Sequence, residues 1–505
     1  MLADTRKLQL SPNATAAGCN CNKNRVACSS LLTQRRKLML RQFLCALSIV
    51  IFLSPLFFFT GCAPAVTSPP EIPIASGDPV SSISSVPTNN PSEWLAFRGA
   101  DGNSKSTDTG LLQQWPDGGP RLLWQVNFIG YGYSGVSVSG DRIYTSGYVT
   151  RNGEALTMIF CLDLDGNLIW ENDNGPALAD RRRYPGTRGT PTIAGDFIFD
   201  ISPFGQITCF NAMTGEIIWS RKDIWNRTII GEEVIRTEYN APMPHWFLGH
   251  SVIVDGDYVI TPVGGQRTIA IAMDKRTGET VWEAAPAAGG APTTYTTPYI
   301  FEFEGTRVVA IMSNITVEGL DPATGRTLFS IPWVNREPDT RSVHCTMPIY
   351  HNGHLFLSSG YEHGTSRLFQ LAKNDDGTIT ATEMWVDTNL NNHHGGIVLV
   401  GDYVYGTDHN GTWHSINFMT GVIGFSSRAA GKGSVTYADG LLYGLTENDR
   451  TVLLIKPEPT EFLLISRFDL PNEVAGPSWA HPVVIGSRMY LRHGQYLYCY
   501  DVGAE

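Results

Sequence analysis

Cysteine is scarce in this sequence, with nine residues among 505. Four of them lie after residue 62, at Cys161, Cys209, Cys345 and Cys499, and no two cysteines are adjacent. A disulfide needs Cα atoms within roughly 7 Å of each other, whereas equivalent positions of neighbouring sequence repeats are about 10 Å apart in a repeat fold. The sequence therefore argues against a disulfide framework, and these four residues are expected to be small buried side chains.

Short catalytic motifs and positive charge are also missing. The chain has no nucleophile elbow, zinc-protease helix motif, phosphate-binding loop or Cys-x-x-Cys pair. The first 62 residues carry eight of the 37 basic residues and one of the 48 acidic ones, which leaves 29 basic against 47 acidic residues. An acidic surface repels phosphate backbones, so nucleic acid is not expected as a partner.

The longest apolar run lies near the N-terminus. It covers residues 43–59, follows a basic segment at 35–41 and ends directly before Thr60-Gly61-Cys62. This order is typical of a lipoprotein signal peptide over residues 1–62, with Cys62 as the acylated residue. The alternative is a transmembrane anchor, for which the run is at the lower limit of length. A start at Met39 would give a signal of ordinary length and leave residues 1–38 outside the protein.

Residues 63–91 are rich in Ser, Pro, Thr and Asn and contain no aromatic residue. Such a segment buries too little apolar surface to fold, so we predict a flexible tether. The folded domain is then predicted to span residues 92–505. Together these features predict an exported protein, lipid-anchored on the periplasmic side of the cell envelope, and Ala63 after the lipidated cysteine favours the outer membrane.

Internal repetition predicts the architecture. A β-patterned run ending in a glycine turn recurs eight times, and the turn glycines are Gly140, Gly195, Gly256, Gly305, Gly353, Gly401, Gly440 and Gly486. Each unit continues with a second β run, a third strand, a turn and a closing strand. Eight such units predict an all-β fold, an eight-bladed β-propeller.

The best copy of the closing turn runs from Asp274 through Thr277-Gly278 to Trp282. The Asp side chain opens the turn, the glycine takes the left-handed conformation, and the chain reverses into a hairpin. The aromatic residue that follows is predicted to pack between neighbouring blades. Because the last repeat lacks a fourth strand and residues 122–126 look like a closing strand, we predict that this N-terminal strand pairs with the C-terminal blade.

The pattern from Asp274 to Trp282 resembles the repeat of the pyrroloquinoline quinone (PQQ) β-propeller family. The opening segment, from Trp94 through Phe97-Arg98-Gly99, resembles exported PQQ-like propellers of planctomycete type. The resemblance covers residues 94–502 and implies two activities. In one branch, the outer-membrane assembly propeller lipoprotein, the fold is a lipid-anchored scaffold for proteins. In the other, the quinoprotein dehydrogenases, a Trp stacks on PQQ, Glu, Asn and Asp side chains bind Ca²⁺, and an Asp is the catalytic base. An adjacent cysteine pair is common in these enzymes and is absent here.

In a propeller, the segments that lead into each innermost strand converge at one mouth of the central channel. Here these lead-in segments carry nine candidate ligand-binding residues, Tyr133, Arg188, His250, Tyr295, His344, His394, Lys432, Trp479 and His481. The His, Arg and Lys side chains could attract an anion, imidazoles could bind a transition metal, and Tyr and Trp could stack on a planar ligand. The alternative for each histidine is a structural hydrogen bond that fixes a loop.

Two loops are further candidates. The run Arg181-Arg182-Arg183 is interpreted as either a solvated basic loop or a loop facing an anion. The longest insertion, from Asp223 to Phe247, is predicted to form a lid or partner surface over the mouth with four residues, Trp225, Tyr239, His245 and Trp246.

These patterns favour a monomeric propeller that acts as a binding or scaffold module for a protein partner in the cell envelope or a small planar ligand, with no metal predicted. The alternative is a PQQ-dependent dehydrogenase that oxidises an alcohol or sugar, with PQQ and Ca²⁺ as cofactors. In that enzyme Trp246 or Trp479 would stack on the quinone, and His394 and Arg188 would be its polar contacts. A second alternative is a carbohydrate-binding propeller.

Overall fold

The computed structural model describes residues 93–180, 184–226, 237, 239–333, 343–361 and 364–504. The predicted signal peptide, Cys62, the tether and the run Arg181–Arg183 therefore lie outside the described residues. Within the described part every regular element is a β-strand. No apolar helix with the length to cross a membrane occurs there.

The strands form eight four-stranded antiparallel sheets and one two-stranded ribbon, which confirms the predicted eight-bladed β-propeller. In blades 1 to 4 the four strands of each sheet pair in the order in which they occur in the sequence. Blade 1 has β2 (Ser137–Ser139), β3 (Arg142–Arg151), β4 (Glu154–Asp163) and β5 (Leu168–Pro176), and blade 2 has β6 (Thr192–Ala194), β7 (Phe197–Ile201), β8 (Ile207–Asn211) and β9 (Ile217–Arg221). Blade 3 has β10 (Ile253–Asp255), β11 (Tyr258–Pro262), β13 (Ala270–Asp274) and β14 (Thr280–Ala284), with β12 (Gly264–Gly265) and β15 (Ala291–Pro292) forming the ribbon. Blade 4 has β16 (Tyr299–Phe303), β17 (Thr306–Met312), β18 (Thr316–Leu320) and β19 (Thr327–Pro332).

Blades 5 to 7 repeat this order. Blade 5 has β20 (Ile349–His351), β21 (His354–Ser358), β22 (Ser366–Lys373) and β23 (Ile379–Asp387), and blade 6 has β24 (Ile397–Val400), β25 (Tyr403–Thr407), β26 (Trp413–Asn417) and β27 (Ile423–Ser427). Blade 7 has β28 (Gly433–Ala438), β29 (Leu441–Thr446), β30 (Thr451–Lys456) and β31 (Leu463–Asp469). Blade 8 has β32 (Val483–Ile485), β33 (Arg488–His493) and β34 (Tyr496–Asp501), and its fourth strand is the N-terminal β1 (Arg121–Val126). β1 pairs antiparallel with β34, and Arg121 forms a 2.7 Å ion pair with Asp501.

The first two strands of each blade are joined by a tight turn with glycine in the left-handed region, as at Gly256, whose φ is 58°. In all eight blades the pairing of the third and fourth strands contains a register shift. A shift of this kind increases the local twist of the sheet.

Tryptophans of the fourth strands connect neighbouring blades, as predicted. The Trp282 indole donates a 2.9 Å hydrogen bond to the carbonyl of Pro322 in blade 4, and a Cβ on Gly325 would lie 2.6 Å from its ring. Only glycine fits under the ring at that distance. The same contact recurs in four other pairs, Trp124 with Gly166, Trp170 with Gly215, Trp219 with Gly278, and Trp385 with Gly421.

The four cysteines after residue 62 are free, and Cys161, Cys209 and Cys499 are buried. Cys499 and Cys161 pack in the clusters that join blade 8 to blade 1 and blade 1 to blade 2. Cys345 is half-buried in the lead-in segment of blade 5. The prediction of small buried side chains without a disulfide is therefore confirmed for three of the four.

The segment from Trp94 to Ser106, called the channel plug here, lies across the innermost strands. Trp94 exchanges two 2.8 Å backbone hydrogen bonds with Val138 in blade 1, and the carbonyl of Leu95 accepts one from Ile193 in blade 2. At its other end, the amide of Ser106 donates to Tyr437 in blade 7. Because the plug contacts first strands on both sides of the ring, it crosses the central channel.

Candidate functional site

Lead-in segments and the loops between second and third strands lie on the same face of the propeller, because neighbouring strands are antiparallel. The structure places all nine predicted residues on lead-in segments, one or two in each blade. At this mouth they meet side chains from the second set of loops.

Trp479, which leads into blade 8, is the centre of an aromatic group. Its ring centroid lies 4.5 Å from Tyr133, 4.9 Å from Tyr184 and 5.0 Å from His394. Tyr184 also contacts Trp246 at 6.0 Å. These rings come from blades 1, 2, 3, 6 and 8, so the aromatic group spans the mouth.

A half-buried ion pair between Lys432 and Glu447 lies beside Trp479. The carboxylate of Glu447 accepts hydrogen bonds from the Trp479 indole at 2.9 Å and from Lys432 at 3.0 Å, and His394 Nε2 lies 3.3 Å from it. Burial alone would raise the pKa of Glu447, but the hydrogen bonds of His394 and Trp479 and the charge of Lys432 lower it well below its usual range. Glu447 is therefore ionised at neutral pH.

Lys432 extends the network to a second group of rings. Its ammonium donates a 2.9 Å hydrogen bond to Nδ1 of His393. The His393 ring lies 4.9 Å from Tyr361 and 5.2 Å from His409, and Tyr361 and His409 stack at 4.5 Å. Burial and then the charges of His394 and Lys432 lower the pKa of His393, so it accepts this bond as a neutral ring.

Arg188 and Tyr295 complete the mouth on the side of blades 2 to 4. The Arg188 guanidinium lies 6.0 Å from the Tyr133 ring centroid and donates to the carbonyl of Tyr184 at 2.9 Å. The Tyr295 hydroxyl accepts a 3.1 Å hydrogen bond from the amide of Trp246. We call the whole set the mouth cluster; its members are Tyr133, Tyr184, Arg188, Trp246, Tyr295, Tyr361, His393, His394, His409, Lys432, Glu447 and Trp479.

Three predicted histidines lie beneath the mouth surface. His250 and His344 are fully buried, and burial lowers the pKa of each to about 4. His481 packs on Phe97 of the channel plug, and burial followed by the charge of Arg98 lowers its pKa to about 3. These rings are neutral at physiological pH. The positive charges at the mouth come instead from Arg188 and Lys432.

The predicted lid is divided between core and mouth. Trp225 and Tyr239 lie in the hydrophobic core between blades 2 and 3, where the Trp225 indole donates to the carbonyl of Val263 at 2.9 Å. They are buried rather than placed over the mouth because blade 3 offers them apolar contacts and hydrogen-bond partners. His245 is exposed and contacts Trp246 edge-on at 5.0 Å. Residues 227–236 and 238 of this insertion lie outside the described part of the chain.

Sequence reasoning missed Tyr184, Tyr361, His409 and Glu447 of the mouth cluster. Three of them follow second strands: Tyr361 after β21, His409 after β25 and Glu447 after β29. The sequence repeat could have identified these three residues, because the loop after the second strand lies on the same face as the lead-in segment.

The mouth cluster does not match the arrangement that the quinoprotein resemblance implies. Trp479 has three rings packed around it, and its neighbouring carboxylate, Glu447, is already bonded to Lys432 and to the indole. Across the described ranges, no group of three or more His, Cys, Asp or Glu side chains is placed to hold a metal ion. The described residues therefore do not fit PQQ with Ca²⁺.

Fold and repeat together define a PQQ-like β-propeller. A family model described as "Outer membrane protein assembly factor BamB" matches residues 157–427, more than half of the chain. The chain belongs to this family, which confirms the PQQ-like resemblance. No curated protein matches the chain by sequence.

Solved structures show the same fold at low sequence identity. BamB from Moraxella catarrhalis is 14% identical with a TM-score of 0.51, over 76% of this chain and 99% of that one. The computationally designed Ika8 protein is 12% identical with a TM-score of 0.50, over 76% of this chain and 100% of that one. A quinohemoprotein alcohol dehydrogenase from Pseudomonas putida HK5 is 12% identical with a TM-score of 0.47, over 82% and 81%. At these identities the first two structures show the fold alone.

Proposed function

We propose that this chain is a cell-envelope scaffold that binds a protein partner through the mouth cluster. Tyr, Trp and Arg are the residues most enriched at interface hot spots. The mouth cluster presents Tyr184 and Tyr361, whose surfaces are 42% and 38% exposed, next to Arg188 and half-buried Trp246. This exposed aromatic surface on a rigid ring of blades is the observation that carries the proposal.

Family membership supports the same function. The matching model is described as an outer membrane protein assembly factor, and a protein-binding scaffold is consistent with that description. We propose that Cys62 carries the lipid and that residues 63–91 connect it to the propeller. The mouth would then face partners in the envelope at a distance set by the tether.

A site-specific photo-crosslinker tests the partner surface. It is placed at Tyr184 or Tyr361 in the full chain in its native host, and at exposed Asp141 on the opposite face as the matched control. The proposal predicts one crosslinked envelope protein from both mouth positions and none from Asp141. It also predicts that Arg188→Ala weakens the crosslink, because the guanidinium contributes to the same surface. Equal yields from the mouth and from Asp141 would rule the mouth out as the partner surface.

The lipid anchor is tested separately. Labelling the host with an alkyne fatty acid should label the wild-type chain and leave Cys62→Ala unlabelled. A labelled Cys62→Ala chain would show that the acylated residue is another one, without bearing on the mouth.

A further inference from the structure

Arg98 of the channel plug is a buried cation with an incomplete set of hydrogen bonds. Its side chain is 2% exposed. Nη2 donates to the carbonyl of Ile397 at the start of blade 6. Nε and Nη1 are buried without a hydrogen-bond partner among the described residues.

No carboxylate of the described residues pairs with this guanidinium. Burial lowers the pKa of Arg98 to about 10, and the only opposing influence is the Tyr299 hydroxyl. The guanidinium remains protonated at physiological pH. A buried charge without a counter-ion is strongly unfavourable, so such groups in proteins are normally paired.

A second unpartnered nitrogen faces the same place. His481 is 6% exposed, and its Nε2 lies 2.9 Å from the carbonyl of His394. Because a carbonyl only accepts, Nε2 carries the proton. Nδ1 has no partner among the described residues. A Cβ on Gly396 would lie 3.3 Å from both this Nδ1 and Arg98 Nη1 and 2.5 Å from Cε1 of His481, so both unpartnered atoms lie beside Gly396 at a place where only glycine fits.

We propose that Arg98 and His481 form a buried binding site for a small monoanion at the floor of the channel. The anion accepts hydrogen bonds from Nε and Nη1 of Arg98 and neutralises its charge. At neutral pH Nδ1 of His481 is an acceptor, so Arg98 alone donates to the anion, and only protonation of His481 at low pH adds Nδ1 as a third donor. The charged and titratable groups that face His481 are Arg98 and His394, and the anion offsets the repulsion from Arg98.

The site lies directly below the mouth cluster. His481 bonds to the backbone of His394, whose ring contacts Trp479. The monoanion is therefore either a free halide or the carboxylate of a molecule that enters through the mouth. The anion site consists of residues of the plug and the channel floor alone, so it is independent of the proposed protein partner.

Thermal unfolding of the full chain tests the proposal. The midpoint is measured against bromide, chloride and formate at constant ionic strength, for the wild type and for Arg98→Met. A ligand that binds only the folded state raises the midpoint in proportion to the logarithm of its concentration above Kd. We expect a rise of a few degrees in the wild type and none in Arg98→Met.

The three ions distinguish the sources of the anion. A response to halides as well as formate indicates a free inorganic ion, and a response to formate alone indicates the carboxylate of a ligand. Equal responses of the wild type and Arg98→Met, or no response of the wild type to any of the three, would overturn the proposal. Should Arg98→Met not fold, His481→Phe keeps the guanidinium and is expected to retain the response without its increase at low pH.

Discussion

Two buried arginines in this propeller have opposite surroundings. Arg492 in β33 and Arg98 in the channel plug are each 2% exposed, and neither pairs with a carboxylate of the described residues. All three guanidinium nitrogens of Arg492 nevertheless donate hydrogen bonds. Nε donates to Gly494 at 3.1 Å, Nη2 to Gly130 at 3.0 Å, and Nη1 to Ser146 at 2.5 Å and to Thr145 at 3.1 Å.

The difference shows what a buried cation needs in this fold. Backbone carbonyls and one hydroxyl serve Arg492 completely, and they connect blade 8 to the lead-in segment and second strand of blade 1. Missing carboxylates are therefore not the distinguishing feature of Arg98. The feature is its two nitrogens without acceptors, which make Arg98 a candidate ligand-binding residue and Arg492 a structural one.

The largest effect is expected from substitution of the structural arginine, Arg492. Arg492→Met removes the guanidinium donor from the carbonyls of Gly130, Ser146 and Gly494, of which Ser146 keeps the hydrogen bond from the Thr187 hydroxyl. It also removes the hydrogen bonds by which Arg492 connects blades 8 and 1. Because losing one partner of a buried charged network is strongly destabilising, we expect a loss of about 3–5 kcal/mol in the free energy of unfolding, measured by urea denaturation. Arg492→Lys is the control, and it should recover part of the loss. A loss below about 1 kcal/mol would contradict the structural role.

Acid is expected to lower the stability through three buried, neutral histidines of the lead-in segments. Burial holds the pKa of His250 and His344 near 4 and that of His481 near 3, against 6.5 for the unfolded chain. Below pH 6.5 the unfolded state binds more protons, so stability is fully present above that pH and falls as the pH decreases towards 4. The expected slope is up to about 1.4 kcal/mol per pH unit for each histidine.

This slope is measured by urea denaturation between pH 7 and pH 4. Halide should reduce it in the wild type, because a bound anion favours protonated His481, and should not reduce it in Arg98→Met. If halide left the slope unchanged in both the wild type and Arg98→Met, protonation of His481 would not be linked to binding of the anion.

Arg98→Met is expected to have a much smaller effect on stability than Arg492→Met. Without halide it removes one hydrogen bond to Ile397 and also an unpaired buried charge. These changes oppose each other, so the free energy of unfolding should change by less than about 1 kcal/mol, or increase. Urea denaturation in halide-free buffer measures it. A loss as large as that of Arg492→Met would place Arg98 among the structural residues.

Tyr184→Ala should change stability least. The ring is 42% exposed, and substitutions at such positions usually stay within about 0.5 kcal/mol. In this variant, crosslinking of the partner protein from a photo-crosslinker at position 361 should nevertheless decrease, because Tyr184 and Tyr361 belong to the same mouth cluster. Unchanged crosslinking with unchanged stability would remove Tyr184 from the partner surface.

Much of the fold could be predicted from the sequence because the information is local and repeated. The turn from Asp274 to Gly278 fixes a hairpin, and the phase of Trp282 places an aromatic side chain over a glycine of the next blade. The lead-in residues could be assigned to one mouth for the same reason. Each of these inferences uses a single repeat and its neighbour.

The rest depends on burial and on contacts between distant parts of the chain. Arg98 meets Ile397, which lies 299 residues further along the chain, and no repeat pattern predicts that pair. The charge state of His481 depends on how deeply the plug covers it. Trp225 belongs to a long insertion that the sequence predicts to be a lid, yet the side chain is buried against blade 3. Sequence patterns grouped the lead-in residues at one mouth, but the electrostatics of the candidate site required the structure.

Anomalous diffraction from crystals of the full chain grown in bromide tests the central claim most directly. The account predicts a bromide peak within hydrogen-bonding reach of Arg98 Nε and Nη1, and none at Arg492. The account would be contradicted if crystals grown in bromide showed no bromide at the channel floor and crystals grown in formate showed no formate there.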